Sequence, residues 1–346
     1  MQSPEHIAVA RPPTLLSGGV SVLGTGSIGS RHLRVLRDLI GAEVSAIPIR
    51  PTRRLELQAG GFQVCSSLDE AVAGGTRAIV VASDTSRHLA DLHLALKLGC
   101  SVLVEKPLAA SASYLSEFAS AIAPGSGPVY VACDLRFDPS LLQFRQRLPE
   151  IGAIHAVRIE CQSYLPDWRP NRDYRESYSA RAGEGGVLLD LIHEIDYAVW
   201  LFGAPKCVFA QLQNSGHLGI ESEEAADLYW ETADAAVVSI RLDYLTRTTH
   251  RAMCAYGEFG EIHWDGVAQT VSLRANDHPP KVERFPQDRD STLRDQDSAF
   301  LRAACGGDPG TLTTFEEGAI AVSICDAARR SSSSGVFEPV LDWRKA

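Results

Sequence analysis

Between Val20 and about Val131 the chain alternates between two textures. Short, continuously apolar runs ("VSVLG", "EVSAIPI", "AIVVAS", "SVLVE", "VYVAC") are separated by helix-like stretches such as "SRHLRVLRDLI", "SLDEAVAGG" and "SRHLADLHLALKLG". Runs without polar alternation suit strands buried on both faces, and strand-helix alternation implies right-handed crossovers in a parallel sheet. A doubly wound domain is therefore predicted over residues 18–135. Beyond it a helical segment (140–149) leads into longer, alternating strands: "AIHAVRIECQSYL", "KCVFAQLQNS", "DLYWETADAAVVSIRLDYL", "HRAMCAYGEFGEIHWD" and "QTVSLRA". Strands joined by short turns, with no helices between them, read as an antiparallel sheet with one covered face. Helices are expected near 187–202, 293–305 and 314–331, making residues 136–346 an α+β domain with a large, mostly antiparallel open sheet. Residues 1–17 read as a flexible arm.

Composition narrows the function classes. The 346 residues are 45% hydrophobic and 22% charged, with a net charge of -10. A phosphate-backbone binder needs a basic face, so nucleic acid is not an expected partner. No run approaches the roughly 18 consecutive apolar residues of a membrane span. The eight cysteines are scattered, without a C-x-x-C pair or zinc spacing; reduced thiols in a cytoplasmic protein, and no metal, are expected.

The first chemistry-bearing motif is Gly24-x-Gly26-x-x-Gly29, set directly after a predicted strand and before a predicted helix. Its glycines serve a tight turn, close approach to a pyrophosphate, and helix-strand packing, with the anion facing the helix N-terminus beside Ser27 and Ile28. Such a fingerprint expects an acidic residue about 20 positions on to hold the ribose 2'-hydroxyl. Here the text is "IPIRPTRR". Arg50, with Arg53 and Arg54 nearby, can instead pair with a 2'-phosphate, which tilts the NAD(P) cofactor toward NADP. Solvated arginines, or Arg50 stacked on adenine, would suit NAD equally.

Glu105, Lys106 and Pro107 end the fifth apolar run, at the strand end where open parallel sheets bind ligands. In "GGVLLDLIHEID" Asp190 and His193 lie three apart, a spacing that shares one face of a helix. An imidazole titrating near neutrality could take the proton released when a secondary alcohol gives up a hydride, with a carboxylate orienting it. An early-turn acid and a core histidine account for the same pair without chemistry. Upstream, "YLPDWRPNRDYRESY" collects Tyr164, Trp168, Arg169, Arg172, Tyr174 and Tyr178. Aromatic faces stack on sugars or bases and arginine forks grip phosphate or carboxylate. The alternative is a loop packed against another subunit.

Taken in order, "GTGSIGSRH", "VASDTSRHLADLHLALKLGCSVLVEKPLA", "LRFDPSL" and the Gly185-to-Asp196 stretch resemble the glucose-fructose oxidoreductase/inositol dehydrogenase/MocA family of NAD(P)-dependent oxidoreductases, from about Val20 to 335. The resemblance implies a Rossmann domain followed by a substrate domain whose open sheet mediates assembly into a homodimer or homotetramer. It places Lys106 between nicotinamide and substrate, allows a cis Lys106–Pro107 bond, assigns Ser83, His88 and Glu105 to the cofactor side, and sets Arg136 near substrate. Catalysis is expected from Lys106, Asp190 and His193. Two positions depart from the family pattern: Ser83-Asp84 replaces Thr-Pro or Asn-Pro, and Asp134 stands where Asn is frequent.

For substrate, the resemblance implies a carbohydrate, and the branch resembled implies a nucleotide-linked hexose or amino sugar, such as UDP-N-acetylglucosamine oxidised at C3 in bacterial surface-sugar synthesis. A free-sugar or inositol dehydrogenase, a cofactor-recycling glycosidase or lyase, and a non-catalytic ligand sensor are the alternatives.

Overall fold

The computed structural model describes residues 18–41, 43–121, 127–276 and 278–345. The expected N-terminal arm, 1–17, lies outside them. Strands β1 (Gly19–Leu23), β2 (Val44–Ile47), β3 (Gln63–Val64), β4 (Thr76–Val81), β5 (Ser101–Glu105) and β6 (Val129–Ala132) form a parallel sheet in the order β6-β5-β4-β1-β2-β3. This is the order of a dinucleotide-binding fold, with the reversal between β1 and β4 opening a crevice at the strand ends. Every residue of β5 is buried, as both-sided packing requires. Helices α1 (Ser27–Ile40), α2 (Arg53–Ala59), α3 (Leu68–Ala73), α4 (His88–Lys97) and α5 (Ser113–Ala121) make the crossovers.

After α6 (Pro139–Arg147) the second sheet begins with β7 (Ile154–Gln162). Two short helical pieces follow, α7 (Val187–Asp190) and α8 (His193–Phe202), and then β8 (Cys207–Gln213), β9 (Ala225–Glu231), β10 (Val237–Asp243), β11 (His250–Gly257), β12 (Gly260–Asp265), β13 (Thr270–Ala275) and β14 (Lys281–Arg284). The order is β14-β13-β12-β11-β7-β10-β9-β8, closed by the terminal strand β16 (Glu338–Pro339). All pairs are antiparallel except β7 with β10. That exception arises because the chain between these strands carries the helical insertion and the β8-β9 pair, so β10 enters beside β7 from the same end.

The sheet is covered on one face. Val157, Ile159 and Cys161 of β7 and Val238 and Ile240 of β10 point into a core with Leu191, Ile195 and Tyr197. Helix α10 (Phe315–Ser334) starts with a capping box between Thr314 and Glu317 and lies across this core, its Ser331 and Ser332 hydroxyls accepting from the amides of Ala210 and Leu212 at 2.9 Å each. The chain then ties the two sheets together. Helix α9 (Ser291–Ala304) buries Ala299, Phe300 and Ala303 with Leu33 and Leu36 of α1, and β15 (Thr313–Thr314) adds an antiparallel edge to β6. Among the described residues, no helix is long and apolar enough to cross a membrane. All eight cysteines are free.

Candidate active site

The crevice at the ends of β1, β4 and β5 opens into a cleft of about 730 Å³ between the two sheets. Its floor is the β1-α1 loop. Gly24 sits at φ +91°, where a Cβ would collide with the Ala82 carbonyl, and a Cβ on Gly29 would strike the carbonyl of Gly24. A Cβ on Gly26 would meet nothing within 4 Å, so this glycine leaves open room above the loop. Helix α1 starts at Ser27 with no side-chain cap and no acidic residue in its first turn, leaving free N–H groups beside that room. Thr25 Oγ1 and Ser83 Oγ, both on cleft-lining residues, are buried without a hydrogen-bond partner among the described residues. Space, bare amides and orphan hydroxyls together fit a bound pyrophosphate.

At the end of β2, Arg50 lines the cleft and has no ion-pair partner among the described residues, whereas Arg53 pairs with Glu56 and Arg54 donates to Ser66 at 3.3 Å. The expected guanidinium cluster is thus reduced to one uncommitted group. His88 stands buried at the start of α4, its ring nitrogens 2.8 Å from the Pro107 carbonyl and 3.0 Å from that of Ser83. It joins the β4 and β5 loops. The Lys106–Pro107 bond is cis.

Lys106, His193, Tyr178, Glu105 and Asp134 converge on the cleft beyond this floor. Lys106 Nζ donates to the Asp190 carbonyl oxygen at 2.6 Å. The continuous helix expected over 187–202 is instead broken at Leu191 and Ile192, so Asp190 ends α7 and His193 begins α8. The shared face therefore does not exist: no hydrogen bond or ion pair joins Asp190 to His193, and Asp190 is not on the cleft wall. Its carboxylate accepts from the Tyr244 hydroxyl at 2.6 Å and lies beside Tyr178. Burial, followed by that carboxylate, pushes both phenols well above their ordinary range, so each keeps its proton.

The carboxylate that faces His193 is Asp134, 3.9 Å from Nε2. Burial, reinforced by the positive charges of Lys106 and Arg251, holds His193 well below the usual histidine range. The ring is neutral at physiological pH and able to accept a proton. Asp134 is pushed upward, first by burial and then by the negative charge of Glu105.

The aromatic and arginine-rich segment divides. Trp168, Arg169, Arg172 and Tyr178 line the cleft. Tyr164 does not; Arg247 stacks over its ring, 3.7 Å from the centroid. Tyr174 is also turned away, its hydroxyl donating to the Leu218 carbonyl at 2.9 Å. Arg136, expected near substrate, is wholly buried behind the site, forked onto Asp196 at 2.8 and 2.9 Å and onto Glu317 at 2.9 Å. A guanidinium without water needs such carboxylates, and they lie on α8 and α10, which no local pattern around "LRF" announces. Cleft residues missed from sequence include Arg181 and Arg289, which sit in ordinary polar text. His32 was within the quoted "GTGSIGSRH", where its place after the third glycine was the available signal. Among the described residues, no group of three His, Cys, Asp or Glu side chains could hold a metal ion.

A Rossmann sheet with a bare phosphate loop, facing a cleft that holds a lysine and a neutral histidine, defines a nicotinamide-dependent dehydrogenase. Residues 19–132 match the family model described as an oxidoreductase family, NAD-binding Rossmann fold, and residues 147–263 match the GFO/IDH/MocA C-terminal domain. The chain belongs to the glucose-fructose oxidoreductase/inositol dehydrogenase/MocA family, and is an NAD-binding oxidoreductase acting on CH–OH groups of sugars or polyols. It is 26% identical over 337 residues to a myo-inositol dehydrogenase of Streptomyces leeuwenhoekii, a match covering 91% of this chain and 98% of that one. Its fold is shared with a levoglucosan dehydrogenase solved with NADH and L-sorbose (TM-score 0.82, 18% identity, 94% of this chain and 99% of that). It is shared too with the WlbA dehydrogenase of Bordetella pertussis in complex with NADH and UDP-GlcNAcA (TM-score 0.78, 19% identity, 94% and 99%).

Proposed function

We propose that the protein interconverts a ring hydroxyl and ketone on an anionic sugar, a nucleotide-linked hexose or amino sugar such as UDP-N-acetylglucosamine at C3. The observation that carries this reading is the charge of the cleft. In a chain of net charge -10, Arg50, Arg169, Arg172 and Arg289 all line it without an ion-pair partner among the described residues. The α1 amides at the floor would hold the pyrophosphate of a dinucleotide. Arg169, whose positive charge is felt by the Tyr178 phenol, is assigned to the substrate end. Uncommitted guanidinium forks there suit a second phosphate group or a carboxylate.

The loop of Gly24, Gly26 and Ser27, with Ser83 and Arg50, would hold the dinucleotide, whose nicotinamide supplies the hydride-accepting carbon. His193, neutral and buried, takes the hydroxyl proton through Nε2. Lys106 Nζ, aimed by the Asp190 carbonyl, donates to the substrate oxygen, and Tyr178 adds a second donor. Asp190 is assigned a positioning role, holding Lys106 through its carbonyl and the Tyr244 phenol through its carboxylate. We also infer self-association as a homodimer or homotetramer through the uncovered face of the nine-stranded sheet. One row across that face runs Phe209, Tyr229, Ser239, Arg158, Cys254, His263.

The match to a myo-inositol dehydrogenase over most of both chains supports a second reading, a neutral cyclitol as substrate, which leaves Arg169, Arg172 and Arg289 without a task. A titration separates the two. Quenching of tryptophan emission is followed with NADH and NADPH, then with UDP-sugars or myo-inositol added, and turnover is read from nicotinamide absorbance. UDP-sugar turnover and tighter NADH binding in its presence are expected. Turnover of myo-inositol with no UDP-sugar response would overturn the anionic reading, and a strong NADPH preference would assign Arg50 to a 2'-phosphate.

A further inference from the structure

Behind the wall that carries Lys106 lies a buried group that the proposed chemistry does not use. His32 of α1 is wholly buried. Its Nε2 is 2.9 Å from Glu105 Oε1, and its Nδ1 is 2.9 and 3.0 Å from the two oxygens of Asp297 on α9. A neutral imidazole has one nitrogen without hydrogen, which would face a carboxylate lone pair; only the protonated ring donates to both sides. Burial by itself would lower this histidine, but Asp297 and Glu105 outweigh it and push it up to about 10. Glu105 spends its other oxygen on the backbone N–H of Lys106, at 3.2 Å.

The start of α9 reaches the opposite side of the cleft as well. Thr292 Oγ1 donates to Asp134 Oδ2 at 3.1 Å, and the other Asp134 oxygen is the one facing His193. Just before the helix, Asp290 pairs with Arg31 of α1 at 2.8 Å and the Arg289 carbonyl accepts from the same guanidinium at 3.0 Å. A single element, about 260 positions downstream of the phosphate loop, therefore bears on both proton-handling side chains.

We propose that His32, clamped between Glu105 and Asp297, is a positioning residue for Lys106, and that α9 is the strut that sets Lys106 and His193 against each other. The inference rests on the proposed roles of Lys106 and His193. Its physical basis is that Lys106 lies just past the last paired residue of β5, Glu105 opposite Ala132, and its backbone N–H is held by the Glu105 carboxylate. The charged histidine locks the Glu105 carboxylate, which locks the Lys106 backbone, while the side chain is held by the Asp190 carbonyl. Misplacing a reacting group by about 1 Å costs on the order of 100-fold in rate.

The test uses the full chain with Asp297→Asn and His32→Gln, and two readouts. In cofactor-free protein, reductive methylation of Lys106 by formaldehyde and borohydride is followed by peptide mass spectrometry, with Lys206 as internal reference. In the complete reaction, kcat, KM and NADH affinity are measured as a function of pH. Asp297→Asn is expected to change the Lys106 methylation rate by roughly 3-fold or more against Lys206, and to lower kcat by roughly 10-fold with KM and NADH affinity within about 3-fold.

The pH profile adds a sign. The charged groups that face His32 are Glu105 at the β5 end and Asp297 on α9; Asp134 lies within reach of the Glu105 charge, and Gln296 adjoins Asp297. With Asp297 neutralised the histidine falls from about 10 toward its ordinary range. A loss of kcat with rising pH that follows the imidazole therefore appears across neutrality in Asp297→Asn and is absent in His32→Gln, which keeps the Glu105 and Asp297 carboxyls but has no imidazole to titrate. Unchanged Lys106 reactivity and kcat, with only a lower Tm, would reduce the cluster to a fold contact and overturn the proposal. So would a rise in the NADH dissociation constant equal to the fall in kcat, which would make the cluster a cofactor holder, or failure of both variants to fold. A methylation shift without any UDP-sugar turnover by the wild type would sink the nucleotide-sugar reading and leave the positioning intact.

Discussion

His193 owes its proposed role to its neighbours. Burial together with the Lys106 and Arg251 charges keeps it neutral, so its contribution to the acid limb of kcat/KM for oxidation falls below pH 6.5, where protonation removes the base. The same shift has a stability sign. A histidine lowered on folding costs nothing above its unfolded value near 6.5 and destabilises the fold as pH drops below it. Removing the adjacent like charge in Lys106→Met should move the His193 titration midpoint upward in carbon-13 NMR; an unmoved midpoint would mean that burial and Arg251 suffice. His193→Ala should lower turnover by roughly 100-fold or more while NADH affinity stays within a few-fold. Loss of NADH binding instead would make the residue structural.

At the scale of elements, the decisive feature is the break between α7 and α8. Gly186 precedes α7 at φ +94°, and a Cβ there would run into the Glu223 carboxylate. The amide of Val187 on the Glu223 carbonyl (3.2 Å) and that of Leu188 on the Glu223 carboxylate (3.4 Å) hold the short helix against the β8-β9 connection. Gly186→Ala is therefore expected to cost about 1–3 kcal/mol in urea unfolding. It should also lower kcat, because α7 carries the Asp190 carbonyl to Lys106. Wild-type stability would show that α7 is held by its apolar contacts alone. The motif "GGVLLDLIHEID" made the region visible as a site, yet its spacing suggested one helix and one acid-base pair. The turn at Leu191 and Ile192 separates the two residues and leaves Asp134, from the end of β6, facing the imidazole.

For the molecule as a whole, the two sheets share one core, and among the described residues nothing forms a layer over the far face of the second sheet. Tyr229 and Val237 are 42% and 51% exposed there. Sedimentation equilibrium should find a dimer or tetramer, and Tyr229→Arg with Cys254→Arg, two positions in one row of that face, should yield monomers that still bind NADH. A monomeric wild type would remove the sheet from consideration as an interface.

The order of apolar runs and the glycine spacing were enough to read the parallel sheet, the phosphate loop and the antiparallel second layer, because period and turn chemistry are local properties of the chain. Lys106 was legible for the same reason, lying where a both-faces-buried run ends. What local patterns could not carry were partnerships between distant positions. His32 meets Asp297 across 265 residues, Arg136 is claimed by Asp196 and Glu317, and Tyr164 and Tyr174 turn from the cleft toward Arg247 and Leu218. Charge and hydrogen-bond satisfaction in the buried interior decide these, and they exist only once the chain has brought α9, α10 and the two sheets together.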